Sequence, residues 1–292
     1  MDIQLLVVPY DTARRGWRSG AGPEHLLEAG LTAHLTSQGH QVSDIEVVED
    51  DPAQSPAEIR TGFELMRRVA TAVRAARTAG RFPVILSGNC NVAVGALSGL
   101  TPGPRHVFWF DAHGECNTPD TTASGFLDGM GLATAFGWCW RSLAASVPGF
   151  LPVPPAATFL LGARDIDPLE GTLLAESEVT HLPVARFAEL SDLLAATHLD
   201  QGVGYLHLDL DVLDPDTVGH ANDHPAPAGL SVAQLTAAIA AIRAVVPLGA
   251  AAIASYAPEF DRTRDVRRAA FAALDSILAS GDRTIDNRAA GG

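Results

Sequence analysis

Short apolar runs alternate along the chain with longer segments in which apolar residues recur every three or four positions. The runs at residues 3–8, 41–48, 83–86, 106–110, 158–162, 203–208 and 250–256 predict strands. The periodic segments at residues 24–38, 57–78, 91–100, 127–145, 169–178, 186–196, 232–245 and 262–280 predict helices. Strands that are apolar throughout, separated by helices, predict a mostly parallel sheet covered on both faces, which is a three-layer α/β/α fold. No linker rich in Gly, Pro or Ser divides the chain. One domain is therefore expected over residues 1–282, followed by a flexible tail over residues 283–292.

In such a sheet, ligands bind beyond the carboxyl ends of the strands. Four predicted strand ends carry polar clusters: Ser87-Gly88-Asn89-Cys90, Asp111-Ala112-His113-Gly114-Glu115, Arg164-Asp165-Ile166-Asp167 and Asp209-Leu210-Asp211. Residues i, i+2 and i+4 of an extended chain share a face, so Asp111, His113 and Glu115 can converge on one point. Asp209 and Asp211 repeat that spacing. Four carboxylates in one cleft repel one another and take up protons, unless divalent cations balance them. Oxygen ligands with an imidazole suit two ions of the Mn²⁺ type, and such a pair lowers the pKa of a shared water. Either motif alone is more often a turn or a helix cap. Two of them, both ending apolar strands of one sheet, favour a metal centre.

Composition narrows the possibilities. With 47% hydrophobic and only 18% charged residues, the 292-residue chain is not a disordered one. The 34 acidic and 20 basic residues give a net charge of −14, and every basic residue is Arg. No basic run is present, so no nucleic-acid partner is expected, and the acidic bias favours a cationic ligand such as a metal or a guanidinium. Three cysteines, Cys90, Cys116 and Cys139, do not make a disulfide framework. No apolar segment has the length of a membrane span and no leader pattern opens the chain. The expected compartment is the cytoplasm, without a membrane partner.

Through its motifs the chain resembles the ureohydrolase family of arginases, agmatinases and their relatives over nearly its whole length. The resemblance is carried by Gly20-Ala21-Gly22-Pro23, Asp111-Ala112-His113, the stretch from Asn117 to Gly125, Gly162-Ala163-Arg164-Asp165-Ile166-Asp167-Pro168, and Asp209-Leu210-Asp211-Val212-Leu213-Asp214-Pro215. It implies an arginase-like fold, two Mn²⁺ per chain and hydrolysis of a guanidine compound. The implied metal ligands are Asp111, His113, Asp209 and Asp211. Cys90 stands where the family has a His ligand, and Glu115 where it has an Asp. The resemblance also implies that Asn117, Thr122 and Ser124 meet a substrate α-carboxylate and Asp167 an α-amino group, with Glu170 where arginases keep a second acid. The implied substrate is a small α-amino acid with a guanidine-type tail, not agmatine.

Two departures bear on the reaction. The family's proton-shuttling His is Asp128 here, and the Glu that balances a guanidinium is Ser255. Both family groups serve a strongly basic guanidinium, and an N-hydroxyguanidine is far less basic. The pattern is similar to the Nω-hydroxy-L-arginine hydrolases of D-cycloserine biosynthesis, which implies hydroxyurea and L-ornithine as products. The alternatives are an ordinary arginase or guanidino-acid hydrolase with a relocated proton donor, and a non-catalytic arginine-binding relative. His220 and His224, in the loop after Asp214-Pro215, are further candidates for that donor. Trp17 and Arg18 are expected at the pocket mouth, and Arg164 and Asp165 as a structural pair. The chain ends soon after its last helix, which favours a monomer over a trimer.

Overall fold

A computed structural model describes residues 1–103, 105–197, 199 and 202–279; the tail expected at 283–292 lies outside these residues. The strands are β1 (Asp2–Val8), β2 (Tyr10–Asp11), β3 (Arg14–Arg15), β4 (Gln41–Val47), β5 (Phe82–Ser87), β6 (Arg105–Phe110), β7 (Thr158–Leu161), β8 (Thr180–Leu182), β9 (Val203–Asp209) and β10 (Leu248–Ala254). The helices are α1 (Gly22–Glu28), α2 (Leu31–Ser37), α3 (Glu58–Thr78), α4 (Ala93–Gly99), α5 (Gly131–Ala135), α6 (Arg141–Ala144), α7 (Pro168–Glu176), α8 (Leu190–Ala196), α9 (Val232–Val245) and α10 (Asp265–Leu278).

Eight strands form one sheet in the order β4-β1-β5-β10-β9-β6-β7-β8, with parallel pairing throughout. Successive side chains of a strand point to opposite faces, so each apolar strand feeds two cores. In β6, Phe108 and Phe110 join Leu31, Ile239 and Leu274 on the face covered by α2, α9 and α10. Val107 and Trp109 join Phe63, Val69 and Leu97 on the face covered by α3 and α4. This is the expected three-layer arrangement. It explains why the strands read as continuous apolar runs and not as alternating ones.

The strand ends are level. Ala254 of β10 is in register with Ser87 of β5 on one side and Asp209 of β9 on the other. The residues that follow these strands, together with Asp111 after β6, therefore leave the sheet at one height. Gly88 lets the turn after β5 abut β2, because a Cβ there would sit 2.3 Å from the Tyr10 carbonyl oxygen.

Some expected elements break. The helix predicted at 24–38 is two helices, separated by Gly30 with φ of +93°. The helix predicted at 127–145 becomes a 3₁₀ turn at Asp128–Met130 followed by α5 and α6, interrupted where Gly137 and Trp140 adopt positive φ. The last strand stops at Ala254 because Ser255 turns left-handed, with φ of +60°. Strand β8 and the β2–β3 hairpin are additions to the predicted elements. Among the described residues, no helix is long and apolar enough to cross a membrane.

Candidate active site

The floor of the site is built from the ends of β5, β6 and β9. The ligand atoms of Cys90, Asp111 and Asp209 lie within 4.8 Å of one another, and so do those of Asp111, His113 and Asp211. Asp111 belongs to both groups, so the two sets join through one carboxylate that two neighbouring ions could share. The carboxylates are aimed by local bonds. Asp111 accepts from the indole Nε1 of Trp109 (2.9 Å) and from the His113 backbone N–H (2.7 Å). Asp209 accepts from the Asp211 N–H (2.9 Å), and Asp211 from Ala112 N–H (3.1 Å) and Asn222 Nδ2 (3.0 Å). The Cys90 thiol lies 3.0 Å from Asp209 Oδ2 and 3.3 Å from Ser255 Oγ.

Glu115 belongs to neither group but stands beside them. It is buried, holds a left-handed φ of +55°, and its Oε2 has no hydrogen-bond partner among the described residues. A non-glycine residue in this backbone region is uncommon, and an unpaired buried carboxylate oxygen is costly. Burial and the neighbouring carboxylates push Glu115 and Asp209 well above the usual carboxylate range. His113 is raised despite burial, because Asp211 and Asp111 stabilise its cationic form. The centre calls for positive charge, and its oxygen, imidazole and thiol donors fit divalent cations.

Asp128 stands on the wall. Its Oδ1 accepts from Asn91 N–H (2.9 Å) and its Oδ2 from Asn89 Nδ2 (2.7 Å), so it also ties down the turn that carries Cys90. Burial of the carboxyl raises its pKa to about 7, against the hydrogen bonds that lower it.

At the opposite wall Asp167 caps α7. Glu170 completes the capping box from the third helical position, and its Oε1 accepts from Cys116 N–H (2.7 Å). Asn117 donates to Asp167 Oδ2 (3.1 Å) and accepts from Thr121 Oγ1 (2.9 Å). Ser124 accepts from Phe126 N–H, and Thr122 from Gly125 N–H.

These walls enclose a cavity of about 320 Å³. His113, Glu115, Asn117, Ser124, Asp128, Asp167, Glu170, Asp209 and Asp211 line it, whereas Thr122 does not, and Cys90 and Asp111 lie beneath the lining. His224 lines it and His220 does not. At the mouth Arg18 is on the wall and Trp17 is not. The expected Arg164–Asp165 pair is not formed. The Arg164 guanidinium instead donates to backbone carbonyls of residues 162, 211, 212, 213, 226 and 227, while Asp165 lines the cavity. Asp11 and Asn222 also line the cavity although no sequence motif singles them out, and Asn89 lines it as a member of the polar cluster that ends in Cys90.

Fold and site together define a parallel α/β domain with a carboxylate-rich cleft at the strand ends, where two joined groups of side chains could hold metal ions. The Arginase family model matches residues 1–279, and the chain belongs to that family. It is 28% identical to an arginase of Brevibacillus brevis over 306 aligned positions, covering 97% of this chain and 99% of that protein. It is 31% identical to arginase-1 of Xenopus laevis, covering 74% of this chain and 73% of that one. Solved structures share the fold. Arginase from Bacillus cereus superposes with a TM-score of 0.85 at 24% identity, covering 97% of this chain and 100% of that one. Entamoeba histolytica arginase in complex with L-ornithine gives 0.83 at 18% identity, covering 96% and 98%.

Proposed function

We propose that the protein is a dinuclear-manganese amidinohydrolase that cleaves Nω-hydroxy-L-arginine to L-ornithine and hydroxyurea, in the service of antibiotic biosynthesis. The observation that carries this reading is the corner formed by Cys90 and Ser255. A thiol and a hydroxyl, 3.3 Å apart, meet at the strand-end floor where family members place a His ligand and a guanidinium-balancing Glu. A hydroxyguanidine is far less basic than a guanidine and can bind in its neutral form near pH 7, so a balancing carboxylate is less necessary, and its hydroxyl is a polar handle for such a corner.

Cys90, Asp111, His113, Glu115, Asp209 and Asp211 would hold two Mn²⁺, which supply a water of lowered pKa when bound. Asn117, Ser124, Asp167 and Glu170 orient the amino-acid head, which places the guanidine carbon over the floor. Water adds to that carbon, and the C–N bond to the ornithine side breaks. Asp128 lines the cavity with a pKa of about 7, which suits delivery of a proton to the leaving amine near neutral pH. Water consumed and products formed balance without a further reactant.

The test is ornithine release by the Mn²⁺-loaded protein from L-arginine and from Nω-hydroxy-L-arginine under identical conditions. Turnover of the hydroxylated substrate alone is expected. Comparable turnover of L-arginine would instead support an ordinary arginase, the reading favoured by the arginases among its relatives.

A further inference from the structure

Polar and charged side chains make up almost the whole cavity wall. Among the described residues that line it, Phe126 alone has a purely hydrocarbon side chain. It is 40% exposed and belongs to none of the apolar clusters of the fold. Its backbone is nevertheless fixed. The Phe126 N–H donates to Ser124 Oγ (3.3 Å), and the next amide, that of Leu127, donates to Glu58 Oε1 (2.7 Å). Leu127 itself is buried against α3, where a Cβ on Gly62 would fall 2.6 Å from its Cδ2. With Leu127 taken up by the core, its neighbour Phe126 is left to the cavity. Ser124 and Asp128, two residues away on either side, line the cavity as well. The segment thus presents a hydroxyl, an aromatic ring and a carboxyl in turn.

A hydrocarbon surface held open to water is unfavourable in the empty cleft, and covering it with an apolar part of a ligand favours binding. On the reading given above, Ser124 helps to orient the amino-acid head and Asp128 serves the leaving amine. The part of the substrate between those two ends is its methylene chain. Carboxylates, amides and hydroxyls gain nothing from contact with methylenes, and lose water to make it. Phe126, whose place in the chain is between Ser124 and Asp128, is the one side chain of the wall that gains by covering them. Its ring is flat and stiff, and its backbone is already held, so little freedom is lost on contact.

We propose that Phe126 is a specificity-determining residue that packs on the methylene chain between the amino-acid head and the guanidine-type end, and so favours substrates with a long apolar spacer over shorter ones. The proposal rests on the α-amino-acid reading given above. The experiment is calorimetric titration of the Mn²⁺-loaded protein with L-ornithine and with L-2,4-diaminobutyrate, which has the same head and terminal amine on a chain one methylene shorter. Wild type, F126A, F126L and F126Q are compared at several temperatures. Because Phe126 joins no core, their melting temperatures should agree within about 2 °C. F126A and F126Q are expected to weaken L-ornithine binding about tenfold, and F126L, apolar but not aromatic, to retain most of it. The preference for L-ornithine over the shorter ligand should narrow about fourfold in F126A, as one uncovered methylene implies. The heat-capacity change of binding should be less negative in F126A and F126Q than in wild type. In turnover, KM should rise by a larger factor than kcat falls, since the chain is held alike in the ground and transition states. Unchanged L-ornithine binding in F126A would overturn the proposal. So would equal losses in F126L and F126Q, or equal losses for the two ligands, because the side chain would then act through the shape of its loop. A wild type that binds no L-ornithine would instead sink the α-amino-acid reading itself, and this one with it.

Discussion

The Cys90 thiol lies 3.0 Å from Asp209 Oδ2, and the two residues leave β5 and β9, strands that β10 separates. The contact spans the sheet because Ser255, which follows β10, is small and turns aside. Burial, then the carboxylates of Asp209, Asp128, Glu115 and Asp111, push the thiol pKa well up. The thiolate therefore forms only against a cation, and cation uptake releases a proton. Co²⁺-loaded protein is expected to show a thiolate-to-metal charge-transfer band that C90S lacks, and ion affinity should strengthen as pH rises. C90S should hold the ions at least about tenfold more weakly, since loss of a ligand costs no less than loss of a supporting contact. An unchanged spectrum in C90S would remove Cys90 from the ligand set.

Much of the grouping of side chains on this floor was legible because its candidate ligands follow apolar strands with a spacing of two. Asp111 with His113, and Asp209 with Asp211, announce themselves in that way. The sheet was equally legible from β1, β6, β9 and β10, whose apolar runs fill both cores. What escaped prediction was set by tertiary contacts. The break at Gly30 and the left turn at Ser255 depend on single backbone conformations that periodicity does not encode. Asn222 reaches Asp211 from a loop eleven positions on, and Arg18 meets Asp223 across about two hundred residues, so no local pattern joins either pair. Arg164 was assigned to its sequence neighbour Asp165. Its long side chain instead gathers the carbonyls of the segment that carries Asp211, a use of the guanidinium fork that sequence alone does not distinguish from an ion pair.

Gly22 illustrates a glycine kept for space. Its φ is −57°, so no left-handed backbone is required, yet a Cβ would fall 2.0 Å from the Tyr256 carbonyl oxygen. Backbone cannot yield as a flexible side chain does. G22A is expected to cost about 1–3 kcal/mol or more, the usual range for overpacking, and to lower the melting temperature by several degrees. Because Tyr256 adjoins Ser255, it should also disturb the site and reduce turnover. A melting temperature equal to wild type would show that the α1–Tyr256 approach can relax.

Asp50 provides a pH test remote from the carboxylate floor. It accepts from Arg60 Nη1 (2.9 Å) and Thr61 Oγ1 (2.8 Å), and so fastens the segment after β4 to the start of α3. The Arg60 hydrogen bond, ahead of a smaller opposing effect of burial, lowers its carboxyl below the usual range. A depressed carboxyl pKa contributes stability that is complete above the unfolded value and disappears as pH falls through the folded one. The gap in melting temperature between wild type and D50N should accordingly hold steady from about pH 8 to 5 and close below about pH 4. A gap that persists undiminished in acid would mean that Asp50 acts through shape and not charge.

Ser255 and Asp128 set up the sharpest test of substrate choice. Ser255 lines the cavity beside the Cys90 thiol, and Asp128 lines the wall with both oxygens engaged. Neither is a fixed imidazole or a fixed acid dedicated to a guanidinium. Introducing Glu at 255 places an anion where a charged guanidinium can be balanced, and introducing His at 128 replaces the Asp128 carboxyl with the imidazole that the family pattern has at this position. The double variant S255E/D128H is expected to raise kcat/KM for L-arginine relative to Nω-hydroxy-L-arginine by tenfold or more, which is about 1.4 kcal/mol of differential transition-state binding. The single variants should move less, since one restores charge balance without the imidazole and the other the imidazole without the balance. Asp128 also anchors Asn89 and Asn91, so D128H alone should lower stability, and metal content must be measured alongside activity. If the double variant loads metal normally and leaves the substrate ratio where it was, Ser255 and Asp128 do not govern the choice between the two guanidines.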